Sequence, residues 1–106
     1  MNEKSIINRL AQDYNKYSEL SALLFEGSKL ETRDDAILSR VWGKRDLVMH
    51  YLKALTENNP SVQLCECQGS LKLNSYGRKG EKLKEVATSF PMVRVIFINN
   101  ANGKDN

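Results

Sequence analysis

The amino-acid sequence predicts an α+β fold in which an N-terminal helical hairpin packs on a small, mainly antiparallel sheet of three or four strands. Two periodicities and one break point to it. Up to about residue 56 the apolar side chains recur every three or four positions, as on a helix buried along one side. After Pro60 the period falls to two, as in a half-buried strand. Asn58-Asn59-Pro60 separates the regimes, because asparagine suits a helix stop and proline cannot continue the helical ladder.

The first helix is expected over about Ser5 to Phe25. Ile7, Leu10, Tyr14, Tyr17, Ser21 and Leu24 follow the spacing of a helix–helix seam, and Ile6, Leu20 and Phe25 widen it. Gly27-Ser28 then punctuates the chain. Thr32-Arg33-Asp34-Asp35 resembles an N-terminal capping box, with acidic groups set against the positive end of a second helix. That helix carries Ile37, Leu38, Val41, Trp42, Val48, Met49, Tyr51, Leu52 and Leu55 at helical spacing. Gly43 is its weak point, since a glycine inside a helix costs about 1 kcal/mol relative to alanine.

A β-hairpin is expected next. Val62 and Leu64 would form one strand, Leu71 and Leu73 the other, and Gln68-Gly69 the turn. That pairing puts the four apolar residues on one face and Gln63, Cys65, Lys72 and Asn74 on the other. Asn74 to Gly80 is rich in turn residues. Leu83, Val86, Ala87 and Phe90 fall at i, i+3, i+4 and i+7, which predicts a short helix closed by Pro91. The β-branched Val86 and Thr88 keep a strand open as an alternative there. Met92 to Ile98 is apolar on both faces apart from Arg94 and reads as a strand that is central or buried by a partner.

The chain has 106 residues, 41% of them hydrophobic and 27% charged, which suits one globular domain rather than a disordered or fibrous chain. Residues 1–98 are expected to form that domain. Residues 99–106, apolar only at Ala101, are expected to be a disordered tail. No apolar run approaches the ~20 residues of a membrane span. The start, with Glu3, Lys4 and Arg9 among spaced apolar residues, lacks the pattern of a signal peptide, so a cytoplasmic protein is expected.

Catalytic chemistry finds little to use. The single histidine, His50, has no nucleophile beside it, and the adjacent Asp34 and Asp35 are accounted for by helix capping. A helix–turn–helix over residues 33–57 fails because only Gly43 interrupts the helical pattern. Cys65 and Cys67 form one isolated pair, whereas zinc takes four ligands, so no metal and no cofactor is expected. Gly77-Arg78-Lys79-Gly80 lacks the lysine–hydroxyl ending of a phosphate loop.

Charge is more informative. Residues 1–60 carry nine basic and nine acidic side chains, and residues 61–106 carry seven and four, so the net charge of +3 lies in the second half. Tyr76, Arg78, Lys79, Lys82 and Lys84 are the candidate contacts to an anion or to nucleic acid. Tyr14, Tyr17 and Trp42 are the candidate contacts to a protein partner, tyrosine being enriched at such surfaces, with the domain core as their competing role. The sequence thus points first to a small non-enzymatic protein that binds another protein, as regulator, inhibitor or adaptor. Nucleic-acid binding through residues 76–84 comes second, and an enzyme whose site forms across a dimer third. A homodimer is expected, because a small sheet leaves part of two long helices uncovered.

Overall fold

A computed structural model describes residues 2–27 and 35–98, and the expected tail and the capping-box residues Thr32, Arg33 and Asp34 lie outside them. The elements are α1 (Glu3–Gly27), α2 (Asp35–Thr56), β1 (Val62–Tyr76) and β2 (Lys82–Phe97). This is an α+β arrangement with the helices first, as expected. The sheet is one antiparallel two-stranded ribbon, not a sheet of three or four strands. The molecule measures 63 × 27 × 21 Å.

Helix α1 starts earlier than its apolar pattern. Asn2 is its N-cap: the Oδ1 accepts the Ser5 N–H at 2.8 Å, satisfying a donor that the first turn leaves unpaired. Helix α2 runs through Gly43 without a break. It ends where Thr56 Oγ1 donates to the Leu52 carbonyl at 2.9 Å, and Asn59 Oδ1 then accepts the Ser61 N–H at 3.0 Å to turn the chain into β1.

One expectation about the second half is overturned and one open choice is decided. Gln68-Gly69 is not a turn, and residues 83–90 are strand, not helix. β1 runs unbroken from Val62 to Tyr76, and β2 pairs with it continuously from Lys82 to Phe97, with one register shift at Ser75/Tyr76. Val62 and Leu64 therefore lie on the opposite face from Leu71 and Leu73. Gly69 pairs with Phe90, and a Cβ on Gly69 would lie 2.6 Å from that ring and 2.5 Å from Met92 Sδ. The glycine is there to admit an aromatic ring over its backbone, a known way of stabilising glycine in a strand. The real turn is at Arg78-Lys79-Gly80. The Gly80 N–H donates to the Gly77 carbonyl at 3.0 Å, the Gly77 N–H donates to the Glu81 carbonyl at 2.8 Å, and Gly80 takes φ +82°.

Pro91 also sits inside β2, opposite Gln68. The reason is an edge effect. The Val93 N–H and carbonyl bond the Asn15 side chain of α1, so they point away from β1. Strand alternation puts the nitrogen of residue 91 on that same outer edge, where proline removes no ladder bond. β2 is accordingly an edge strand, not a central one.

The core lies where the base of the ribbon meets the helices. Ile7, Ala11, Tyr14, Leu52, Val62 and Val93 form one buried cluster. Burial then changes phase along the ribbon. Val93, Val95 and Phe97 face inward at the base, whereas Phe90, Thr88 and Val86 do so farther out, and β1 switches between Leu64 and Cys65. No bulge interrupts pairing at the switch, so twist accounts for it, two-stranded ribbons being the most strongly twisted. Helix α1 thus covers one face of the ribbon near its own start and the other near its end. Asn15 clamps the edge at the crossing, donating to the Val93 carbonyl at 2.9 Å and accepting its N–H at 2.7 Å.

Three substitutions test this packing by thermal unfolding. Asn15→Ala strands two half-buried backbone groups and is expected to cost about 1–3 kcal/mol. Gly69→Ala forces Phe90 and Met92 aside and is expected to cost about as much, 1–3 kcal/mol. Ser18 is fully buried with its hydroxyl unpartnered among the described residues, so Ser18→Ala is expected to raise the melting temperature by a few degrees.

Candidate functional site

The three residues expected to meet a protein partner occupy different environments. Tyr14 is part of the buried core at 8% exposure. Tyr17 is half-buried. Trp42 is 39% exposed, and its ring lies 6.4 Å from that of Phe25, closing the far end of the helical hairpin. They do not form one patch.

A different apolar face emerges on the outside of the hairpin. The face of α1 that carries Lys4, Asn15, Ala22 and Glu26 is turned to the ribbon, as the Lys4–Phe97, Asn15–Val93 and Glu26–Thr88 contacts show. Roughly half a turn away, by 3.6 residues per turn, come Ile6, Leu10, Tyr17, Leu20 and Leu24. On α2, Leu38, Val41 and Leu52 are buried, while Ile37, Leu47 and Tyr51 on the flank remain 45%, 55% and 56% exposed. Because the two helices run antiparallel, both flanks turn to the side away from the ribbon. The long apolar stripe of α2 in the sequence is therefore split between core and surface. Leu47 was not recognisable as part of it, because it falls between the buried positions.

The basic candidates all lie on the distal arm of the ribbon. The Thr88–Glu26 hydrogen bond is near the end of α1, and five more strand pairs continue past Leu71↔Thr88 to the turn, a projection of about 20 Å. Arg78 and Lys79 occupy its apex. Tyr76 and Leu83 beside them are 60% and 65% exposed, Leu83 being the extra residue at the register shift. The five are not equivalent. Lys82 is hydrogen-bonded to Glu85, and Lys72 approaches the same carboxylate at 3.6 Å. The hydrogen bond from Lys82, then the charges of Lys82 and Lys72, hold Glu85 below the usual carboxylate range. The same hydrogen bond and the charge of Glu85 push the Lys82 ammonium up. Arg78, Lys79 and Lys84 make no ion pair among the described residues.

Cys65 and Cys67 are free and half-buried, paired across the ribbon with Arg94 and Met92. Among the described residues no group of three or more His, Cys, Asp or Glu side chains converges on a metal-sized site. His50 is exposed and stacks edge-on against Tyr51, 5.8 Å away. Two open grooves flank Phe90, one towards Trp42 and Arg45, the other towards Gln12 and Lys16. Among the described residues no helix is long and apolar enough to cross a membrane. The chain matches no family model, no curated protein and no solved structure.

A thiol reagent is expected to titrate both cysteines, slowly in the folded protein and at once in denaturant, with no zinc found by elemental analysis. A stoichiometric metal signal would contradict the free-thiol assignment.

Proposed function

We propose that this chain acts by binding another protein, not by catalysis, and that the outer face of the helical hairpin is the docking surface. The observation that carries this is the set of large apolar side chains left outside on one face of two neighbouring helices. Ile37, Leu47 and Tyr51 lie on α2, and Ile6 and Leu20, 38% and 37% exposed, lie on α1. Large apolar side chains gathered on one exposed face mark interaction sites. The shallow seam between antiparallel helices suits a third helix laid along it. Arg9, Arg40 and Lys44 are exposed around these flanks, with Asp13, ion-paired to Arg9, the acidic exception, so the fitting partner is an amphipathic helix with acidic borders.

A second reading rests on the arm. Arg78, Lys79 and Lys84 have no acidic partner among the described residues and project from the body on a two-stranded ribbon, a shape that a DNA groove admits. Few cations are involved, which keeps this reading second.

Affinity capture from cells that make the protein tests the first reading. The variant Leu47→Glu/Tyr51→Glu changes two exposed side chains and is expected to keep its circular dichroism while losing the captured protein. Capture of the same protein by both forms would defeat the proposal. Arg78→Ala/Lys79→Ala is expected to leave that capture intact. If submicromolar binding to duplex DNA appears, falls with salt at a log–log slope of roughly −3, and vanishes in this variant, the second reading takes first place.

A further inference from the structure

The two outer edges of the ribbon are protected very unequally. On β2, Asn15 occupies the outward N–H and carbonyl of Val93, and Pro91 removes the neighbouring outward donor. The register gives the matching pattern on β1. Glu66 is opposite Val93, so its backbone groups also point outward, as do those of every second residue from Leu64 to Asn74. Among the described residues nothing bonds them. Native proteins rarely leave so long an edge without proline, a bulge or a cover, since it is a template for another strand.

The sequence of β1 says which strand. Its only charged side chains are Glu66 and Lys72, placed symmetrically three residues either side of Gly69. An antiparallel pairing of β1 with a second β1, centred on Gly69, puts Glu66 opposite the partner copy's Lys72, and does so twice. The same register sets Cys67 opposite Leu71 and Cys65 opposite Leu73, apolar against apolar. Glu66 and Lys72 are both outward-facing, which makes their juxtaposition a hydrogen-bonded pair, and the glycine at the two-fold axis falls in a non-hydrogen-bonded pair, where strands approach most closely. Other registers lose these matches.

We propose that β1 is a homodimer interface, in which two copies join edge to edge about Gly69 into one four-stranded antiparallel sheet. About a dozen backbone hydrogen bonds and two cross-strand ion pairs form, and the contact is isologous, each edge being its own complement. It also answers a mismatch of widths. Two helices side by side span about 20 Å, whereas a two-stranded ribbon spans much less, and pairing doubles the sheet. The interface is separate from the outer helical face, so either proposal stands or falls alone.

Light scattering after size exclusion, over a dilution series, reads the outcome. The full chain is expected to run at twice its own mass at micromolar concentration. Glu66→Lys and Lys72→Glu each set like charges directly opposite one another and are expected to weaken the dimer about tenfold or more. The double variant restores it, and a mixture of the two single variants pairs as a heterodimer. Both positions are exposed, and the Lys72–Glu85 contact that Lys72→Glu loses is a surface one worth little, so folding is preserved. Ser70→Pro removes an outward donor without touching the intramolecular ladder and is expected to give a monomer. Leu71→Cys places its new thiol opposite Cys67 of the other copy and is expected to form a covalent dimer on mild oxidation. A single-chain mass throughout, or a dimer indifferent to the charge reversals and to Ser70→Pro, would overturn the proposal.

Discussion

Everything in this fold depends on how one helix crosses the edge of one strand. A two-stranded ribbon is marginal by itself in water and needs a cover. Its twist denies it a flat face of any length, so a straight helix of 25 residues cannot stay on one side of it. Helix α1 has to pass over the β2 edge, and at that point it meets bare backbone donors and acceptors. The Asn15 amide matches a peptide group in both geometry and polarity, and it fills the place a third strand would take. With the edge satisfied there, the first half of α1 is free to bury Ile7, Ala11 and Tyr14 on one ribbon face. Phe90 can then be buried from the other face.

Much of the helical half was legible, because a helix declares itself through local periodicity. The boundaries moved by a few residues at most, and the stop at Asn59-Pro60 agrees with the structure. The ribbon was harder for a physical reason. A strand's partner is set by distant residues, and local cues at Gly69 and Pro91 had meanings that only the pairing reveals. Gly69 imitates a turn because it is small, but its smallness serves Phe90. Pro91 imitates a terminator because it lacks a donor, but at that position the donor would face out. The helical spacing of Leu83, Val86, Ala87 and Phe90 is a coincidence of a strand whose inward face holds Val86, Thr88 and Phe90. Asn15 was invisible as a key residue, since a polar residue beside a seam is an ordinary feature of a helix surface.

The candidate residues were legible in kind more than in place. The basic cluster does sit together at an exposed tip, because a hairpin turn brings neighbours in sequence together in space. The aromatic candidates did not converge. Helical spacing identifies the apolar positions of α2 without saying which side of the stripe meets the core. That depends on the angle at which α2 approaches the ribbon, and the outcome leaves Leu47 and Tyr51 outside while Leu52 is buried completely.

The packing of α1 on β2 joins the first described element to the last. During synthesis α1 leaves the ribosome before Val93 and Phe97 exist, so Ile7, Ala11 and Asn15 emerge without their β2 partners. Isolated helices gain most of their stability from such packing, and loop closure across nearly the whole chain has to precede the reward. Folding therefore waits for β2, and any nascent chain cut short before residue 93 exposes the apolar stripe that β2 covers. Synthesis of β2 and burial of that stripe are thus the same event.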